Sequence, residues 1–175
     1  MSTRTLTLTA MLAAALCILG PVTLPVGPIP LSLTTGVLMG MALMLGARRA
    51  CLCCGVYLML GLLGLPVFSG FTGGVGALLG PTGGFLLGYL PLTAWCGLAC
   101  ARMSDRCRQA LTLMVGTMAL YAVGTIWFAH LTGSSFMASL AVCVLPFLPG
   151  DALKIAAVVI GGNAIKSRLK KAGLV

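Results

Sequence analysis

Two charged residues stand apart from all others in this 175-residue chain. Asp151 and Lys154 lie three apart in the tract P-F-L-P-G-D-A-L-K-I-A-A, within an otherwise apolar stretch. On a helix that spacing sets both side chains on one face. An ionisable group at the centre of a membrane-spanning helix costs about 2.5–3.5 kcal/mol on insertion scales, so such a pair usually lines a polar cavity or a pathway. The competing role is a structural ion pair that locks two helices together.

Little else in the chain could do chemistry. Cys51 and Cys54 have C-x-x-C spacing, but no histidine or second pair lies nearby, and both read as packing thiols. His130 falls beside a loop and reads as an interfacial residue. Trp95, Trp127 and Tyr121 suit bundle packing, interfacial anchoring or ring stacking equally well. The glycine-rich segment Phe68–Gly83 lacks the G-K-[ST] ending of a phosphate-binding loop, so the chain does not itself hydrolyse ATP. With no nucleophile–base set and no metal cluster, an enzyme is the least favoured class, and neither cofactor nor metal is expected.

The elements that must position the pair are membrane helices. Hydrophobic residues form 59% of the chain and charged residues 7%, against roughly 25% charged in soluble domains. Mean hydropathy is +1.12. The surface must therefore face lipid. Apolar segments run over Thr5–Gly20, Leu33–Gly46, Ala50–Val67, Gly84–Ala101, Ala110–Leu131 and Asp151–Ala164, with a shorter one at Phe136–Leu148. A span takes about 20 residues, so several of these depend on their neighbours for depth. The first segment, preceded by Arg4, reads as a retained helix because its alanine cluster falls mid-run, not after it as in a cleaved signal peptide.

Charge sets the parity. The net charge of +9 would suit nucleic acid only if it lay on one soluble face. Instead Arg4, then Arg48 and Arg49, then Arg102, Arg106 and Arg108, then Lys166, Arg168, Lys170 and Lys171 form clusters between apolar runs. If every cluster is cytoplasmic, two crossings separate each successive pair. The expected fold is an all-α integral membrane protein: a bundle of six transmembrane helices, both termini cytoplasmic, forming a single domain over residues 1–175, with Phe136–Leu148 not spanning. Its outward connections, Pro21–Pro30, Phe68–Gly83 and His130–Gly150, carry no basic residue and are rich in Gly and Pro. Phe68–Gly83 is too apolar for a solvated linker and suits a lid over a cavity, irregular or re-entrant. Ala10 and Ala14 form a small-x-x-x-small pair on the first helix, a spacing that lets another helix approach closely.

Several tracts together resemble the BioY family. They are V-T-L-P-V-G-P-I-P-L-S-L-T-T-G-V-L-M-G, L-G-A-R-R-A, Y-L-M-L-G-L-L-G-L-P-V-F-S-G, G-A-L-L-G-P-T-G-G-F-L-L-G-Y and P-F-L-P-G-D-A-L-K, in this order over most of the chain. The resemblance implies a biotin-specific substrate-binding (S) component of an energy-coupling factor transporter in a prokaryotic cell membrane. Its partners would be biotin, membrane lipid, a transmembrane coupling subunit and two cytoplasmic ATPase subunits, with no nucleic acid. It further implies that Asp151 and Lys154 hold the ureido head and that Ala10 and Ala14 dock the coupling subunit. An acid beside a cation complements a ring with two N–H donors and one carbonyl. Phe68, Phe71, Val75 and Leu79 are expected to supply an apolar pocket for the rest of the molecule.

Two positions depart from the family pattern. Thr34 stands where the family commonly has glutamine. No basic residue follows G-P-T-G-G, where some members place an arginine for the carboxylate. The expected substitutes are backbone N–H groups around Thr82, Gly83 and Gly84, at a helix start. The rival functions are an S component for another small molecule and a self-contained ion-coupled transporter using Asp151 and Lys154 as a relay.

Overall fold

A computed structural model describes residues 3–24, 29–100, 103 and 105–171, the side chains of residues 4, 5, 24, 169 and 170 aside. Arg102 and the side chains of Arg4 and Lys170, three members of the basic clusters, thus lie outside the described residues. Among the described residues, six long helices form the bundle: α1 (Thr3–Leu19), α2 (Thr34–Leu45), α3 (Ala47–Leu62), α5 (Gly83–Cys100), α6 (Arg106–Thr132) and α8 (Leu148–Lys171). The short helices α4 (Val75–Leu79) and α7 (Phe136–Cys143) lie within connections. A two-residue antiparallel pair, β1 (Thr23–Leu24) with β2 (Leu31–Ser32), joins α1 to α2, with Thr23 opposite Ser32.

Glycine and proline set most boundaries. Gly46 alone separates α2 from α3, at φ 77°, a left-handed conformation that favours glycine. The third helix ends at Leu62, short of the expected Val67, because Gly64 adopts φ 99° and Pro66 follows. Helix α7 has 8 residues, about 12 Å at 1.5 Å per residue, too short to cross a bilayer.

Among the described residues, three helices are long and apolar enough to cross a membrane by themselves: α5, α6 and the Leu148–Arg168 portion of α8. Helices α1, α2 and α3 have 17, 12 and 16 residues. Helix α2 lies innermost, packed against α1, α3, α5 and α8, with Leu38, Met39, Met41, Ala42 and Leu43 all buried. A helix apolar on every side is stable only when neighbours enclose it. By contrast α6 and α8 expose Leu111, Val115, Ile126, Leu153 and Ile160 on their outer faces, as lipid-facing surfaces do.

The bundle has two distinct ends. Ala47 lies against Gly97 near the end of α5, and Gln109 bonds to Asn163. The described residues of the basic clusters on α3, α6 and α8, Lys154 not among them, therefore gather at one end. The Gly- and Pro-rich connections gather at the other, around a cavity.

Candidate functional site

Helix α8 begins immediately before the charged pair. Pro149 falls in its first turn, where the missing N–H costs nothing, and Asp151 follows where a negative charge opposes the helix dipole. Gly150 leaves room for Leu31 of β2, whose methyl carbons would lie 3.3 Å from an added Cβ. The start of α8 is thus pressed against the strand that leads into α2.

Asp151 and Lys154 meet as the spacing predicts. Lys154 Nζ donates to Asp151 Oδ1 at 2.7 Å, with the two side chains only 12% and 7% exposed. It also donates to the Ser32 carbonyl at 2.6 Å and to Thr35 Oγ1 at 3.2 Å. The other carboxylate oxygen, Oδ2, accepts from the Tyr121 hydroxyl at 2.5 Å. On its way to Ser32 the lysine stem passes Gly36 of α2, where an added Cβ would come into contact with Lys154 Cγ at 3.4 Å and a larger side chain would crowd it.

The pair lines a cavity whose wall comes from every connection at this end. Ile29 and Ser32 come from the β1–β2 region, Phe68, Ser69 and Thr82 from the α3–α5 connection, and Phe147 from the α7–α8 turn. Phe85, Leu86 and Tyr89 of α5 and Leu120 and Tyr121 of α6 complete the apolar body, with Thr35 beside the lysine. The glycine-rich connection contributes Phe68, Ser69 and Thr82 to that wall. Phe68 is buried against Tyr57 in an edge-on ring contact at 5.5 Å, and Gly61 has no side chain to block that ring.

Not every expected residue reaches the cavity. Phe71 is 69% exposed and lies outside the lining. It follows Gly70 at a turn where both residues have positive φ, 71° and 59°, so the tip points its ring outward. Val75 and Leu79 on α4 are likewise exposed. Thr34, at the position where the resemblance puts glutamine, is fully buried. Its hydroxyl bonds with that of Ser32 behind the strand, and it is Thr35 that faces the lysine.

Thr82 lines the cavity, and Gly83 and Gly84 beside it let the chain pack closely. The Gly83 N–H already donates to the Gly80 carbonyl at 3.0 Å. A Cβ at Gly83 would collide with the Leu78 carbonyl oxygen, and one at Gly84 with the Trp127 side chain. Trp127 fastens this turn by donating its indole N–H to Gly80 O at 3.0 Å. Of the aromatic residues left open by sequence reading, Tyr121 belongs to the site and Trp127 to its frame. Both are polar-tipped rings inside an apolar helix, a signal that marks a partner without saying which.

Elsewhere, Ala10 and Ala14 lie exposed on one face of α1, whereas Ala13 is buried. Cys51 and Cys54 are both free thiols, and Cys54 is buried in the bundle. His130 is exposed in the last turn of α6.

An apolar bundle with three membrane-length helices, enclosing a buried ion pair in a cavity beneath loops at one end, is a multi-pass membrane protein with an internal pocket. A profile of the BioY family matches residues 1–171, and the chain belongs to that family. It is similar to Biotin transporter BioY2 of Lactococcus lactis subsp. cremoris, 33% identical over 161 residues that cover 91% of this chain and 88% of the relative. It is also 33% identical to Biotin transporter BioY of Rhizobium etli, over 94% of each protein. Its fold matches a crystal structure of the S-component for biotin from an ECF-type ABC transporter with a TM-score of 0.86 and 29% identity, covering 98% of this chain and 95% of that one. Family and relatives are transport proteins, not enzymes.

Proposed function

We propose that this chain is the biotin-binding S component of an energy-coupling factor uptake transporter in a prokaryotic cell membrane. The observation that carries the reading is the enclosed Asp151–Lys154 pair, which offers a carboxylate and an ammonium side by side in an otherwise apolar cavity. A fused bicyclic urea with an aliphatic tail needs that combination: acceptor and donor for the head, apolar walls for the rest.

Six crossings with both termini cytoplasmic put the cavity on the outer side and the basic end inside. Helices α1, α2 and α3 then cross with help from the connections that extend them. Biotin enters from outside, and a separate coupling subunit with two ATPases supplies the energy. The flat face of Ala10 and Ala14 is the docking surface for that subunit, since small side chains allow close helix approach. The carboxylate lies toward Thr82 and Gly84 at the start of α5, so biotin methyl ester binds more weakly than biotin.

Calorimetric titration of the purified protein with biotin tests the reading. Saturable binding is expected, and Asp151→Ala and Lys154→Ala should each weaken it at least about tenfold, because hydrogen bonds to charged groups contribute about 1.5–3 kcal/mol. Unchanged affinity in folded single variants would leave only a structural ion pair. Ala14→Trp tests the docking face: uptake should fall in cells while biotin binding by the isolated protein persists. A joint loss would place Ala14 in the protein's own core.

A further inference from the structure

We propose that Tyr121 is a positioning residue for ligand recognition, holding the Asp151 carboxylate in the orientation that accepts a ring N–H. The inference rests on the biotin-binding reading above and adds a residue from a different helix to the reading head. The argument is a count of donors and acceptors. Lys154 has three N–H donors and no acceptor, and all three have partners: Ser32 O, Thr35 Oγ1 and Asp151 Oδ1. An ionised carboxylate accepts about four hydrogen bonds. Here Oδ1 takes one from Lys154 and Oδ2 one from Tyr121, which leaves acceptor capacity on a carboxylate clamped from two sides. A clamped acceptor loses little rotational freedom when the ligand arrives.

The same count says what must give way. A ring carbonyl seeking Lys154 has to replace one of its existing acceptors. The bond to Thr35 Oγ1, at 3.2 Å, is longer than those to Ser32 O and Asp151 Oδ1 at 2.6 and 2.7 Å, so the Thr35 hydroxyl is the partner exchanged for the ligand. Tyr121 keeps its bond throughout. It is 5% exposed, and α6 packs against both α5 and α8, so the ring is held independently of the ligand.

Tyr121→Phe removes the hydroxyl and keeps the ring. Titrated with biotin and with desthiobiotin, which share the ureido head, the variant should lose affinity for both by the same factor, about tenfold. In an Asp151→Ala background the same change should alter affinity by no more than about twofold, because Tyr121 acts through that carboxylate. Thr35→Val, by contrast, should tighten affinity, since the ligand no longer competes for Lys154, and weaker binding would overturn the exchange. A full additional loss in the Asp151→Ala background, or unchanged affinity in Tyr121→Phe, overturns the role of Tyr121. Both leave the biotin reading standing so long as the unaltered protein binds biotin. An unaltered protein that fails to bind biotin overturns both together.

Discussion

The two ends of the bundle handle charge in opposite ways. At the cavity end the ion pair is enclosed, and each partner is tied to groups far away in sequence: Lys154 to Ser32 and Thr35, Asp151 to Tyr121. At the basic end charge is plentiful and solvated. Asp105 caps α6 by accepting from the Cys107 N–H at 3.0 Å, and its contact with Arg108 at 3.6 Å joins side chains 55% and 77% exposed. A partly buried polar contact there is between neutral amides, Gln109 and Asn163. The contrast follows from desolvation. Buried charges survive only when geometry fixes several partners at once, whereas exposed charges cost little and need only be numerous to orient a chain.

Removing one member from each pair should separate the ends most sharply. Lys154→Met leaves a carboxylate buried with a single hydroxyl partner and should destabilise the protein by about 3–5 kcal/mol. Arg108→Gln should cost no more than about 1 kcal/mol. Unfolding of the purified variants in detergent would measure both, and equal losses would erase the distinction. Asn163→Ala comes next. It takes the 2.6 Å donor away from Gln109 Oε1 while Gln109 Nε2 keeps the Met103 carbonyl at 2.8 Å, at a cost of about 1–3 kcal/mol. Biotin affinity should stay within about twofold. A large loss of affinity would mean that the basic end communicates with the cavity through α8.

A smaller effect is expected from Gly36→Leu, which keeps every polar group but crowds the lysine stem. Displacing Lys154 from Ser32 should weaken biotin binding about tenfold, one charged hydrogen bond's worth. Gly55 on α3 is the control, since an added Cβ there meets nothing within 4 Å. Gly55→Leu should leave affinity unchanged and gain helix propensity. Equal responses at both positions would show that Lys154 moves freely past α2.

What could be read from the sequence, and what could not, divides along the same line. Hydropathy located all six long helices, and the i, i+3 spacing brought Asp151 and Lys154 together, because both are local properties of one helix. The partners Ser32, Thr35 and Tyr121 were not legible, since each arrives from another element through packing that no periodicity encodes. Helix ends were misplaced where backbone, not hydropathy, decides: Gly64 stops α3 before the apolar run ends. The G-P-T-G-G tract does not say which task its glycines perform, and Gly83 and Gly84 make room for Leu78 and Trp127. Glycines needed for close approach and glycines that expose N–H groups look identical in one dimension.

The smallest effect should come from Phe71, and it sharpens the comparison within the cavity end itself. Phe68 and Phe71 are two aromatic residues of one loop, equally plausible as wall from sequence. Phe68 is 2% exposed and lines the cavity, whereas Phe71 is 69% exposed at a turn of positive φ. Truncating Phe68 removes a buried ring that packs on Tyr57 and should cost about 3–5 kcal/mol of stability, with weaker biotin binding. Phe71→Ser removes surface that is already exposed, so stability should change by no more than about 0.5 kcal/mol and affinity by less than about twofold. Phe71→Gly should even stabilise slightly, because the left-handed strain it relieves, about 1–2 kcal/mol, outweighs the added freedom of the unfolded chain, about 0.4–1 kcal/mol. Biotin titration and thermal unfolding of the three variants provide the check. If Phe71→Ser bound biotin about tenfold more weakly, the loop would have to fold inward on binding, bringing the exposed ring onto the ligand as a closing lid.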